Sequence, residues 1–415
     1  MRRFRKAAGF GRAAVGLTAV LALAATAGCS SNGAGSTDGS SDEVVKIGLP
    51  LPLTGVWADS GQNAVDGAML AIDEINEAGG IEALGGAKLE GITADTGSTD
   101  PGQAATVTRE LIEREEVRAL VGSYVTAFTT TSSTEAERSG IPIITQSFAD
   151  ALSERDYQYF FQLAATSSSM GSSVIRYVQE SYAEVGVDIS DVAVLASNDA
   201  AIQTQGEAAI KQVEEDGLNL VFDTFYPQDL SDATVMVQSA LATDPDVILL
   251  GGPTGAAVAI IQAIRSLGFD GPIVGLGGGG IPTPQFGELL GDDVNGVMSQ
   301  VPWNWDMFPE LEAVNDRYAE AYDLTFMPQE AGLSYVAVWA LADAMEQTGS
   351  SEPEDIAEAL RTMTFDEGPA ALMPGSSVSF DETGKNEVAY PVLVQWQEGK
   401  TRSVWPSEIQ IAQPQ

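Results

Sequence analysis

From Val44 onward the chain alternates short apolar runs with amphipathic segments of helix length. That alternation restricts the fold more than any other feature of its 415 residues. "VVKIGLPL" over residues 44–51 reads as a buried strand, and residues 62–77 place Val65, Ala68, Met69, Ile72 and Ile75 on one helical face. The Gly pair at 79–80 stops that helix. Strands near 88–95, 117–122 and 141–145 follow, with helices over 103–114 and 126–138 between them. The rhythm resumes with strands at 192–197, 220–226, 247–252 and 272–277. The helices between these run to residue 216, over 231–241 and to residue 267. Repeated strand–helix units with short apolar strands predict an α/β chain whose parallel sheets carry helices on both faces. Two such sets, interrupted over residues 159–173, predict two lobes. Helices at 309–322 and 331–347 come late, and residues 390–406 read as a strand hairpin turning at Glu398 and Gly399.

The single cysteine, Cys29, stands outside this rhythm. Before it, Arg2, Arg3, Arg5, Lys6 and Arg12 form a basic head with no acid, and an apolar run over 15–27 ends in small residues. That order is an export signal, and the run is too short to span a bilayer as a mature helix. "TAGC" resembles the lipobox of bacterial lipoproteins, with Thr26 where leucine is usual. Plain secretion with an incidental cysteine is the competing reading. Residues 1–28 are expected to be a lipoprotein signal peptide, with Cys29 the lipidated residue. Residues 29–43, rich in Gly and Ser, are expected to be a flexible tether spanning roughly 20 Å on average. No later stretch is long and apolar enough to cross a membrane. One thiol excludes a disulfide within the chain.

Charge and composition narrow the function. The formal charge is −39, and removing the five leader cations takes it to −44. Nucleic acid and electrostatic adhesion to an anionic membrane are therefore not expected partners. With no histidine at all, Ser-His-Asp catalysis and most zinc sites drop out. "GLGGGG" over 275–280 contains G-x-G-x-x-G after a strand. Pro282 and Pro284 follow at once, however, and no acid sits where a ribose would need it, so a flexible loop is the better reading. No P-loop and no nucleophile elbow occur, and 59 acidic residues show no metal-ligand spacing. No catalytic group, cofactor or metal is expected, and the chain is not read as an enzyme.

Ligands of open α/β sheets sit beyond the carboxyl ends of the strands. There the chain offers "TGVWADSG" at 54–61, "GSYVTAFTTTS" at 122–132 and "TQSFAD" at 145–150. Each mixes hydroxyls with aromatics, among them Trp57, Tyr124, Phe128 and Phe148. Hydroxyls and backbone N–H groups at helix N-termini suit a carboxylate. Any one of these residues could equally be an ordinary helix cap.

At this point the blocks "VKIGLPLPLTGVWADSGQNAVDGAMLAIDEINEAGG", "VRALVGSYVTAFTTTSSTEAERSGIPIITQSFA", "DPDVILLGG", "DDVNGVMSQVPW" and "YPVLVQWQEGKTRSVWP" can be placed. They are similar to the leucine/isoleucine/valine-binding family, the type I extracytoplasmic solute receptors of ABC importers. The resemblance runs from about residue 44 to 406. It implies a two-lobed clamp with a three-stranded hinge, closing on a small solute without catalysis. On that footing residues 44–163 with 301–388 form the first lobe, and residues 164–300 with 389–415 the second. The resemblance puts the carboxylate-holding hydroxyl at Thr126. A second contact set falls at Ser147, Phe148 and Ala149, with one hydroxyl fewer than the family usually has. Trp57 and Ser60 complete the first-lobe contacts. In the second lobe the family's tyrosine after "GG" is Pro253, and the acid that usually pairs the ligand ammonium is Gly277. Glu330 falls where the family often has an aromatic facing the site, and it reads either as a pocket acid or as a helix N-terminal acid favoured by the dipole.

The expected function is a monomeric, lipid-anchored receptor on the outer face of the cell membrane. It would deliver a small carboxylate-bearing solute, a branched-chain or other apolar amino acid, to ABC permease subunits. Two alternatives remain open: the same clamp binding an aromatic or aliphatic carboxylate or amide, and a sensor serving a membrane signalling protein.

Overall fold

The structure is a computed structural model that describes residues 44–183, 185–277 and 279–415. The expected signal peptide and tether, with Cys29, lie outside the described residues.

The first sheet is built from β1 (Val44–Leu51), β2 (Lys88–Asp95), β3 (Ala119–Val121), β4 (Ile143–Thr145) and β5 (Phe160–Gln162). Its strands run parallel in the order β2-β1-β3-β4-β5. Between them lie α1 (Ala58–Ala78), α2 (Pro101–Glu113) and α3 (Thr126–Ser139). The interruption expected over 159–173 is shorter. Phe160–Gln162 closes the sheet as its edge strand, and α4 (Ser167–Ala183) begins after four intervening residues.

The second sheet begins with β6 (Asp191–Ser197), α5 (Ala200–Glu215), β7 (Asn219–Tyr226), α6 (Thr234–Leu241) and β8 (Val247–Gly251). It continues with α7 (Thr254–Ser266), β9 (Ile273–Gly275), α8 (Pro284–Leu290) and β10 (Met298–Val301). The chain then returns to the first sheet with α9 (Leu311–Tyr322), α10 (Gln329–Thr348), α11 (Pro353–Thr362) and the small ribbon β11 (Thr364–Phe365) and β12 (Val378–Ser379). It ends on β13 (Val392–Gln397) and β14 (Lys400–Trp405), added antiparallel at the edge of the second sheet. That sheet reads β14-β13-β10-β9-β8-β6-β7. The β13–β14 turn is the expected two-residue one. Glu398 and Gly399 both have positive φ, 53° and 77°, as a type I′ hairpin turn requires.

Local chemistry sets several boundaries. Asp100 caps α2 by accepting from the N–H of Gly102, with Pro101 at the first helical position, so the helix starts earlier than its apolar periodicity suggests. The first helix also starts early, at Ala58, which draws Ser60 and Gly61 into its opening turns. Gly67 lets α1 and α10 meet backbone to backbone, since a Cβ there would stand 2.1 Å from the carbonyl oxygen of Ala331. The glycine run at 275–280 has a packing role of the same kind. A Cβ on Gly279 would stand 2.6 Å from the Gly252 oxygen, and one on Gly280 would stand 1.9 Å from Thr254 Oγ1, so the loops after β8 and β9 lie one against the other.

The chain passes between the two sheets three times, over residues 163–166, 302–310 and 386–391. The first and third crossings are tied together, Asn386 donating from Nδ2 to the Leu163 carbonyl at 3.1 Å. The second is held to β14, with Trp305 donating from Nε1 to the Thr401 carbonyl at 2.9 Å. Asp306 accepts from Asn304 Nδ2 and Ser403 Oγ, both at 2.6 Å.

Candidate functional site

In each sheet one place reverses the strand order: between β1 and β3 in the first, and between β6 and β8 in the second. Loops leaving the carboxyl ends of strands diverge at such a point and leave a crevice. Here the loops after β1, β3, β4 and β6 meet. The space they enclose is lined by Trp57, Tyr124, Val125, Thr126, Ser147, Phe148, Asp199 and Ala201.

Thr126 is the first residue of α3, and Ser147 follows β4. Their hydroxyl oxygens stand 3.1 Å apart. Val125, the residue ahead of α3, provides no side-chain cap, so the helix presents its first backbone N–H groups beside those hydroxyls. Trp57 and Tyr124 form the apolar wall as an edge-to-face pair with centroids 5.9 Å apart, and Phe148 adds to it. Phe128, two residues into α3, is buried as well but does not line the space.

The remaining expected residues lie behind or beside this wall. The Ser60 hydroxyl meets that of Tyr124. Tyr124 donates to Glu330 Oε1 at 3.1 Å, and Gln329 Nε2 reaches the same oxygen at 3.3 Å. Glu330 is fully buried on α10, one layer behind the cleft and outside its lining. Burial pushes its carboxyl up to about 7, against the opposing effect of those hydrogen bonds. Burial, and next the negative charge of Glu330, hold the Tyr124 phenol well above its ordinary value. Ala149, Pro253 and Gly277 are buried but do not line the space. Gly277 has no room for a side chain: a Cβ would stand 1.9 Å from the Met170 methyl and 2.8 Å from the Gln300 carbonyl.

The residue that sequence reasoning passed over is Asp199. It ends the β6 loop and caps α5, with Oδ1 accepting from the N–H groups of Ala201 at 3.0 Å and Ile202 at 3.3 Å. It is 8 % exposed, and burial raises its carboxyl above the ordinary aspartate value while those backbone bonds lower it. An acid opening a helix directly after an apolar strand was the available signal, but that pattern is also what any capped helix shows.

Two side-chain pairs bond directly across the crevice. Trp57 Nε1 donates to Gln228 Oε1 at 3.0 Å. Asn63 on α1 and Gln285 on α8 exchange amide hydrogen bonds of 3.2 and 3.1 Å. The enclosed space is only about 20 Å³, room for about one water. That is far below the few hundred Å³ of an ordinary small-molecule site, so a solute can enter only if the walls part. A larger surface groove of about 730 Å³ lies at the opposite, amino ends of β9 and β10. It lacks the converging loop ends that make a site in this fold. Among the described residues no group of three His, Cys, Asp or Glu side chains could hold a metal ion, and no helix is long and apolar enough to cross a membrane.

Known proteins show the same architecture. A sequence profile of the family described as periplasmic binding protein matches residues 44–401. The Leu/Ile/Val-binding protein homolog 8 of Brucella melitensis is 27% identical over 382 residues, spanning 89% of this chain and 92% of that protein. The leucine-binding protein LivK of Thermotoga maritima superposes with a TM-score of 0.73 at 22% identity, over 86% of this chain and 97% of its own. LivJ of Streptococcus pneumoniae, the substrate-binding protein of a branched-chain amino acid transporter solved with isoleucine, does so with a TM-score of 0.73. It is 25% identical, over 86% of this chain and 98% of its own.

Proposed function

The chain belongs to the periplasmic binding protein family, and from that premise we propose that it is the solute receptor of an ABC importer, exported and held at the membrane by lipid on Cys29. It captures a small apolar amino acid, of the branched-chain kind, between its two lobes and hands it to the permease. The lobes are residues 44–163 with 301–388 and residues 164–300 with 389–415.

One observation carries the choice of ligand class: the Thr126–Ser147 hydroxyl pair at the open N-terminus of α3. Two hydroxyls and a helix end converge there, and the first sheet brings no acid into the lining, which is the arrangement a carboxylate needs. Trp57 and Phe148 offer apolar surface for an aliphatic side chain. Ser60 and Glu330 act from behind by fixing the Tyr124 ring. Ala149, Pro253 and Gly277 shape the crevice with their backbones. The names of the relatives and the isoleucine in the pneumococcal protein support the same ligand class.

The three crossings form the hinge, and the Trp57–Gln228 and Asn63–Gln285 bonds are made on closure. Opening about such crossings is the hinge motion expected of two lobes closing on a ligand.

Calorimetric titration of the free amino acids tests the assignment. Thr126→Ala and Ser147→Ala each remove a hydrogen bond to a charged oxygen, worth about 1.5–3 kcal/mol. Affinity should fall roughly tenfold to a hundredfold in each. Unchanged affinity in both variants would leave the hydroxyls as helix caps and overturn the placement. Tightest binding of a benzoate-type acid or an amide would favour the carboxylate or amide clamp.

A further inference from the structure

We infer that Asp199 reads the ligand's ammonium group, so that this receptor recognises α-amino acids through a different second-lobe residue from the one its resemblance to the family points to. The inference rests on the amino-acid reading of the cleft and sharpens it.

The position where an acid was expected, Gly277, is filled by its neighbours. The Met170 methyl and the Gln300 carbonyl occupy the volume that any side chain there would need. A replacement has to come from the lining itself. Asp199 is its sole carboxylate, and the lining holds no lysine or arginine. Among the described residues no ion pair reaches Asp199. A carboxylate buried without a cation is costly, and the cost is relieved by a cation brought into the cleft.

The cleft is also polarised. At one side stand the α3 N-terminus and the hydroxyls of Thr126 and Ser147, which attract negative charge. On the β6 loop of the other sheet stands Asp199, the one acid of the lining. A zwitterion with carboxylate and ammonium on one carbon matches that polarity. A simple carboxylic acid would leave Asp199 unpaired.

Helix capping is the competing explanation, and the test separates the two. Asparagine caps helices as well as aspartate does, because its Oδ1 still accepts from Ala201 and Ile202. In Asp199→Asn the fold and thermal unfolding should be kept. Affinity for the free amino acid bound most tightly in a panel of the twenty should fall by roughly thirtyfold or more. Affinity for its desamino acid, 4-methylpentanoate in the case of leucine, should stay the same or rise. Equal amino-acid affinity in wild type and Asp199→Asn overturns this inference and leaves the receptor reading standing. A wild type that binds no free amino acid overturns the amino-acid reading and this inference with it.

Discussion

Replacing Glu330 with glutamine tests the electrostatics behind the cleft wall. Glu330 is fully buried, bonded by Tyr124 and Gln329, and pushed by burial from an ordinary 4.5 to about 7. The folded carboxyl therefore binds its proton more tightly than the unfolded one. Its contribution to stability is fully present below about pH 4.5 and is lost as pH rises through about 7. A gap of roughly 2.5 pH units at 1.36 kcal/mol each makes the loss on the order of 3 kcal/mol, most of it between pH 5 and 8.

The groups nearest to Glu330 do not blur this window. The phenols of Tyr124 and Tyr318 are both raised by burial and stay neutral throughout. Asp66 acts on Tyr318 and Asp199 on Tyr124 in wild type and variant alike. Glutamine keeps an acceptor for the Tyr124 hydroxyl and carries no charge. Its amide could cost a constant amount if unpaired, so the readout is the slope of the difference with pH. Urea unfolding of both proteins at pH 5, 6, 7 and 8 measures it. The difference should move in favour of Glu330→Gln by about 2–3 kcal/mol across that range. A constant offset at all four pH values would show that the carboxyl does not change charge there, and would refute the reasoning.

Other outcomes follow from the same structure. Gln285→Ala removes both amide bonds to the buried Asn63, about 1–3 kcal/mol of closure, so stopped-flow release of a bound amino acid should quicken by roughly tenfold; an unchanged release rate would mean that α1 and α8 do not latch the closed form. Gly67→Ala should destabilise by at least 1–3 kcal/mol in thermal unfolding despite the better helix propensity of alanine, because its methyl meets the Ala331 backbone; a stabilised variant would contradict the close approach of α1 and α10. Cys29→Ser should release the protein from the membrane fraction on cell fractionation, since the thiol is the one proposed lipid attachment point; retention of the mutant would favour an uncleaved leader.

What the sequence determined by itself was whatever depends on neighbours along the chain. The strands read at 44–51 and 88–95 are β1 and β2, "VTAF" opens α3 at Thr126, and the Glu398–Gly399 turn joins β13 to β14. Side-chain periodicity, glycine stops and turn conformations are short-range physics, and they carried the α/β class and its two sheets. The early starts of α1 and α2 were harder to see. Caps and prolines extend a helix beyond its apolar stripe, as Asp100 and Pro101 do.

What only the tertiary structure decided concerns distances between residues far apart in sequence. Glu330 could be read as a pocket acid or as a helix-end acid, and its place behind Tyr124, 206 residues away, follows from how α10 packs on the first sheet. Asp199, passed over in the sequence, caps α5; that it also lines the cleft depends on the second sheet bringing the β6 loop to the loops after β1, β3 and β4. The glycine at 277 gave no hint that Met170 fills its space. The local pattern says which residues are polar and where the strands end. Which of those polar groups share one crevice is set by strand order and the three crossings, and these are held by long-range packing that no stretch of sequence displays on its own.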